Sequence, residues 1–176
     1  MGDENVASLM QELIQTLYRE KEKYEKFFEL SKRKTTVLVE GKVDELQKIT
    51  EEEQKLVDII NIVDKKREGI LKDMADVLNK KPQELTLLRL AEFLNSQPEE
   101  QKELVSLHDE LKRLLKNVQS LNEQNKELVN ELLKMVAFDM NLIKSMKQAP
   151  ETANYDKSAV NTGELFIGAS KFDAKQ

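Results

Sequence analysis

Large apolar residues recur along most of this chain at spacings of three and four, the mark of a single buried stripe on an α-helix. Between residues 5 and 40 they are Val6, Leu9, Met10, Leu13, Ile14, Leu17, Tyr24, Phe27, Phe28 and Leu38. Gly41 follows, and glycine takes the left-handed C-cap conformation at little cost, so a first helix is expected over about 5–40. A second, over about 43–79, carries Leu46, Ile49, Leu56, Val57, Ile60, Val63, Ile70, Leu71, Met74 and Val77. Asn79-Lys80-Lys81-Pro82 should stop it, because proline drives its predecessor out of the α region. Residues 84–94, with Leu85, Leu87, Leu88, Leu90, Phe93 and Leu94, predict one short helix.

Ser96-Gln97-Pro98-Glu99 has the form of a capping box with proline in the first turn, opening a long helix over about 97–148. Its seam is nearly strict. Leu104, Leu111, Val118, Asn125 and Leu132 alternate with Leu107, Leu114, Leu121, Leu128, Met135 and Leu142. Two long helices joined by one glycine turn lie antiparallel, and the third returns beside them. The expected fold is therefore all-α: an elongated antiparallel three-helix coiled-coil-like bundle with a short fourth helix. The bundle is expected over 1–149, and 150–176, polar apart from Leu165, Phe166, Ile167 and Phe172, reads as a flexible C-terminal tail.

Composition agrees and excludes chemistry. Of 176 residues, 35 % are charged and only five are glycine and three proline, which leaves little room for β-architecture. There is no cysteine, so disulfides, thiol nucleophiles and zinc–thiolate sites are absent, and a single histidine cannot build a histidine metal cluster. Twenty-eight Lys and Arg against 33 Asp and Glu leave a net charge of −5. The basic runs Ser31-Lys32-Arg33-Lys34 and Lys65-Lys66-Arg67 are interleaved with glutamates and read as solvated helix faces, so no nucleic-acid partner is expected. No apolar run approaches the roughly 20 residues of a membrane span, and Met-Gly-Asp-Glu-Asn is no secretory start. The expectation is a cytoplasmic protein without membrane insertion.

Catalysis has no purchase. Glu51-Glu52-Glu53 and Glu99-Glu100 read from the sequence as solvated carboxylates on helix surfaces, and His108 lacks a nucleophile to serve. No glycine-rich phosphate loop exists. The chain is expected not to be an enzyme, with no catalytic residue, no metal and no cofactor.

One stretch does not fit a self-contained bundle. At 1.5 Å per residue the first two helices span about 54 Å and the last about 75 Å. Roughly 14 residues of the last helix, about 134–147, should then overhang the Gly41 turn. An overhang without partners ought to be polar. This one reads Met135, Val136, Ala137, Phe138, Met140, Leu142, Ile143 and Met146, an arc of about 200°, and holds three of the six methionines. Thioethers adapt to varied apolar partners. Three readings are open: the helix kinks, residues 83–94 fold back and cover the stretch, or it binds a helix or tail of another chain.

Two strings carry a family resemblance. Leu38-Val39-Glu40-Gly41-Lys42-Val43-Asp44-Glu45-Leu46-Gln47-Lys48-Ile49-Thr50-Glu51-Glu52-Glu53 resembles the first turn and second-helix start of the FlgN family of flagellar export chaperones. Leu121-Asn122-Glu123-Gln124-Asn125-Lys126-Glu127-Leu128 is similar to that family's third-helix motif. The resemblance covers about residues 5–157. It implies a cytoplasmic chaperone of the flagellar type III export pathway. Its clients would be hook–filament junction proteins, bound through their C-terminal amphipathic helices, with delivery to the flagellar export gate or ATPase complex. Client contacts would fall on Leu128, Leu132, Met135, Val136, Phe138, Leu142, Ile143 and Met146. A tyrosine after the third helix would dock on the gate, and Tyr155 stands there, followed by Asp156 where the family pattern has glycine.

The alternative is a structural coiled-coil adaptor that self-associates through its third helix, a weak homodimer being its simplest form. Polar residues on the seams weigh against long symmetric coiled coils. Glu53 and Arg67 in the second helix and Asn125 in the third would instead fix one register within the chain.

Overall fold

The computed structural model describes residues 2–94 and 98–148, with side chains over 5–94 and 98–147. In order, the elements are α1 (Gly2–Glu40), α2 (Val43–Leu78), a 3-10 turn (Pro82–Glu84), α3 (Leu87–Phe93) and α4 (Pro98–Gln148). Among the described residues there is no strand. The chain divides into two units, Met1–Phe138 and Asp139–Gln176.

In the first unit, both long-helix ends close in the same way. Gly41 sits at φ +67°, its N–H bonds the Leu38 carbonyl at 3.2 Å, and the Lys42 N–H bonds the Val37 carbonyl at 3.1 Å. This is the Schellman pattern, which satisfies the last free carbonyls of α1 and reverses the chain. At the end of α2, Asn79 takes the left-handed conformation at φ 52°, and Lys80 N–H bonds the Ala75 carbonyl at 2.9 Å. That corrects the expected stop signal. The left-handed asparagine ends α2, while Pro82, three residues on, opens the 3-10 turn, where its missing N–H costs nothing. The expected helix over 84–94 likewise divides into that turn and the shorter α3, whose first turn is capped by the Thr86 side chain accepting from Arg89 N–H. Ser96 and Gln97 of the expected capping box lie outside the described residues.

Side-chain pairs give the helix directions. Glu12 meets Lys66 at 2.8 Å, Glu20 meets Arg67 at 3.1 Å and Arg33 meets Glu52 at 3.6 Å, so α1 and α2 are antiparallel. Tyr18 donates to Glu103 at 2.7 Å, Lys21 pairs with Glu110, and Asn125 joins Ser31 and Thr35, so α4 runs parallel to α1. The result is the expected up-down-up order.

The larger core gathers Met10, Leu13, Ile14 and Leu17 of α1, Ile70, Met74 and Ala75 of α2, and Leu104, Leu107 and Leu111 of α4. Leu85, Leu90, Ala91 and Leu94 seal it. Residues 83–94 therefore close the core at the beginning of α1 and α4, and their buried leucines are not available to the far part of α4. A smaller cluster, Leu30, Val37 and Ile49, lies toward the Gly41 turn.

Between the two clusters the seam turns polar. Glu53 is buried and accepts from Lys34 Nζ at 2.6 Å and Ser31 Oγ at 3.3 Å. Buried Glu20 faces Arg67, whose Nε–H is not aligned on it, and burial pushes the Glu20 carboxyl above the usual range, with the Arg67 charge only partly offsetting that. The polar seam residues expected to fix register thus make specific partners across the helices.

Candidate functional site

The seam of α4 changes character along its length. Leu104, Leu111, Val118 and Asn125 are all buried, and so is Leu107. The alternating positions Leu114, Leu121 and Leu128 are only half-buried. Among the described side chains of the helix, Asn125 is the last that is buried. Its amide donates to the Ser31 carbonyl at 2.9 Å, and its Oδ1 accepts from Thr35 Oγ1 at 2.6 Å. These bonds set α4 against α1: α1 ends only five residues after Thr35, so its last turn is level with about residue 130 of α4.

Just past that level Leu132 is still half-buried, and from Leu133 on every large apolar side chain of the described helix is exposed. In the first unit these are Leu133, Met135, Val136 and Phe138, with Met135 62 % and Phe138 67 % exposed. In the second unit the last turns of α4 expose Met140, Leu142, Ile143 and Met146, the last at 71 %. Both groups extend an already nucleated helix, α4, and the segment has no glycine or proline to interrupt it and several good helix formers, Leu, Met and Lys, to favour it. Polar residues border them. Lys134 pairs with Glu131 at 2.9 Å, and the Ser145 hydroxyl donates to the Leu142 carbonyl at 2.7 Å.

Of the residues expected to bind a client, Met135, Val136, Phe138, Leu142, Ile143 and Met146 are thus exposed, whereas Leu128 and Leu132 are half-buried. Tyr155 lies outside the described residues. Leu133 and Met140 join the exposed set; Leu133 sits one residue past the seam position Leu132, on the side equivalent to exposed Gln119 and Lys126, so its exposure follows from periodicity. Elsewhere in the first unit, exposed large apolar residues come singly or in pairs, such as Ile59 and Ile62 on α2 or Val39 and Val43 beside the turn. Isolated residues of that kind are ordinary. A run of eight on one helix is not.

His108 is hydrogen-bonded to Asp109 at 3.0 Å on the surface of the first unit. Among the described residues no group of three His, Asp or Glu side chains could hold a metal ion. No helix there is long and apolar enough to cross a membrane.

No curated protein and no solved structure matches the chain. The model of one protein family, described as FlgN protein, does match, over residues 1–163. That span takes in the glycine turn, the Asn125 clasp and the whole exposed stretch of α4, and it covers most of the sequence: the chain belongs to the FlgN family of flagellar export chaperones.

Proposed function

We propose that this chaperone captures the C-terminal amphipathic helices of hook–filament junction proteins in the cytoplasm and delivers them to the type III export gate. The observation that carries this reading is the run of exposed apolar side chains on a well-formed helix whose seam residues up to Asn125 are buried or half-buried. A client helix would lay its apolar stripe along Met135, Val136, Phe138, Leu142, Ile143 and Met146, with Leu128 and Leu132 at the margin. Helix-in-groove recognition of this kind draws its affinity from apolar burial and tolerates varied partners when methionines line the surface. Tyr155 is the proposed gate contact. Nothing in the mechanism requires bond making. The chaperone keeps an apolar segment out of water until the export machinery takes it.

The rival reading is an adaptor that pairs with itself through the same helix. Native mass measurement separates the two. The chain is expressed alone and together with a junction protein. A stable complex containing the client, from a chain that does not oligomerise alone, supports client capture. A homo-oligomer that persists and takes up no junction protein would overturn it in favour of the adaptor.

A further inference from the structure

The last turns of α4 lie in the second unit together with residues 149–176, which are outside the described residues. Leu142 and Met146 are one helical turn apart, Ile143 and Met146 three residues apart, so the three share a face. All three are exposed, and Lys144 and Lys147 beside them are exposed as well. The 28 residues that follow contain one concentrated apolar cluster, Leu165-Phe166-Ile167 with Phe172 nearby, immediately preceded by Glu164. Cluster and face match in apolar content, three or four large side chains against three, and Glu164 at the head of the cluster is a carboxylate that Lys144 or Lys147 can pair with, while Lys171 precedes Phe172 at its far end.

Reach is ample. Residues 149–164 can span up to about 50 Å, whereas returning from Gln148 to the level of Met140 takes about 12 Å along the helix. Tethering also places the cluster at an effective concentration on the order of millimolar, so a weak contact suffices to populate the docked form. A free client enjoys no such advantage.

We propose that Leu165, Phe166, Ile167 and Phe172 dock on the face of Leu142, Ile143 and Met146 when no client is bound, and that a client helix must displace them. The displacement half of this statement rests on the client reading above; the docking half does not. Competition of this form makes empty chaperone distinguishable from loaded chaperone, because only displacement frees the segment that holds Tyr155.

The chain has no cysteine, so Ser170→Cys supplies a unique attachment point for a nitroxide. In the free full-length chain, the amide signals of Leu142, Ile143 and Met146 are expected to lose most of their intensity through paramagnetic broadening. Signals of Leu13 and Leu17 should keep theirs. Adding Phe166→Ser and Ile167→Ser should restore the lost intensity. Undiminished signals at Leu142, Ile143 and Met146 would overturn docking, and so would broadening that also arises when spin-labelled and isotope-labelled chains are separate molecules, since the occupant would then be a second copy. For competition, the probe is a synthetic C-terminal peptide of a junction protein. The full-length Phe166→Ser/Ile167→Ser variant should bind it at least about threefold more tightly, the factor expected if the tail occupies the face two-thirds of the time. Equal or weaker binding by the variant would overturn competition. A peptide that binds neither form would count against the client reading, with docking still decided by the broadening.

Discussion

Two stretches of α4 obey the same sequence rule and meet different fates. Over 104–118 the apolar residues at heptad spacing are Leu104, Leu107, Leu111, Leu114 and Val118: the first three are buried in the larger core, Val118 is buried too, and Leu114 is half-buried. Over 133–146 the apolar residues are as large and more numerous, and every one is exposed. Periodicity decides which side of a helix is apolar. It does not decide whether a partner lies alongside, which depends on the lengths of the neighbouring helices and on register. Here the α1 helix ends at Glu40 and the Asn125 clasp fixes how far along α4 that end falls. The breadth of the apolar arc is the other difference. The buried stretch is narrow, as packing against a helix pair requires, while the exposed one spreads about twice as far around the helix.

The comparison can be broken most forcefully in the buried stretch. Leu104→Ala removes a fully buried side chain from the larger core and should destabilise the protein by about 2–5 kcal/mol, read from urea unfolding, because transfer energy and an unfilled cavity both count against the fold. Leu90→Ala should fall in the same range, since Leu90 is equally buried in that core. A loss below about 1 kcal/mol at Leu90 would mean that α3 does not close the core, and would restore the possibility that residues 83–94 serve elsewhere.

The boundary between the two stretches gives a smaller effect. In Asn125→Leu the Thr35 hydroxyl can fall back on the Ser31 carbonyl, 3.1 Å away, so no buried polar group is orphaned. Stability should therefore change by less than about 1 kcal/mol. What should suffer is register: amide exchange in α4 beyond Val118 should speed up, and native mass spectra should show additional association states. A loss of more than about 2 kcal/mol in a strictly monomeric variant would show the amide acting as net stabiliser rather than as a register device.

Much of this arrangement is legible from residue types. The glycine turn, the helix order and the polar seam positions follow from spacing, and a closer count would have found more. Leu13, Leu17, Glu20, Tyr24, Phe27, Ser31, Lys34 and Leu38 keep alternate spacings of four and three. Glu20 and Ser31 therefore sit on the α1 seam, where the structure buries both. They are passed over when only apolar residues are counted. The destination of residues 83–94 was not legible. Leu85, Leu90 and Leu94 could have packed against either end of α4, and only the three-dimensional path of the 3-10 turn and α3 selects one. The stop of α2 is legible from Asn79-Lys80-Lys81-Pro82, but that Asn79 and not Pro82 ends the helix is not, because an asparagine in the left-handed conformation leaves no mark in the periodicity. The exposed stretch was expected from helix lengths alone, yet its occupant is written in no residue of this chain except, on our proposal, the cluster at 165–172.

The central claim is that the apolar residues of α4 beyond residue 130 serve binding and not folding. It is tested most directly by Met135→Glu with Ile143→Glu, examined by thermal unfolding and by calorimetric titration with a junction-protein C-terminal peptide. Both side chains are more than half exposed, so the double variant should unfold within about 0.5 kcal/mol of the parent and keep its helicity, while peptide binding is abolished. A melting transition lowered as far as that of Leu104→Ala would contradict the account, since it would show these residues to be core, and so would peptide binding at undiminished affinity.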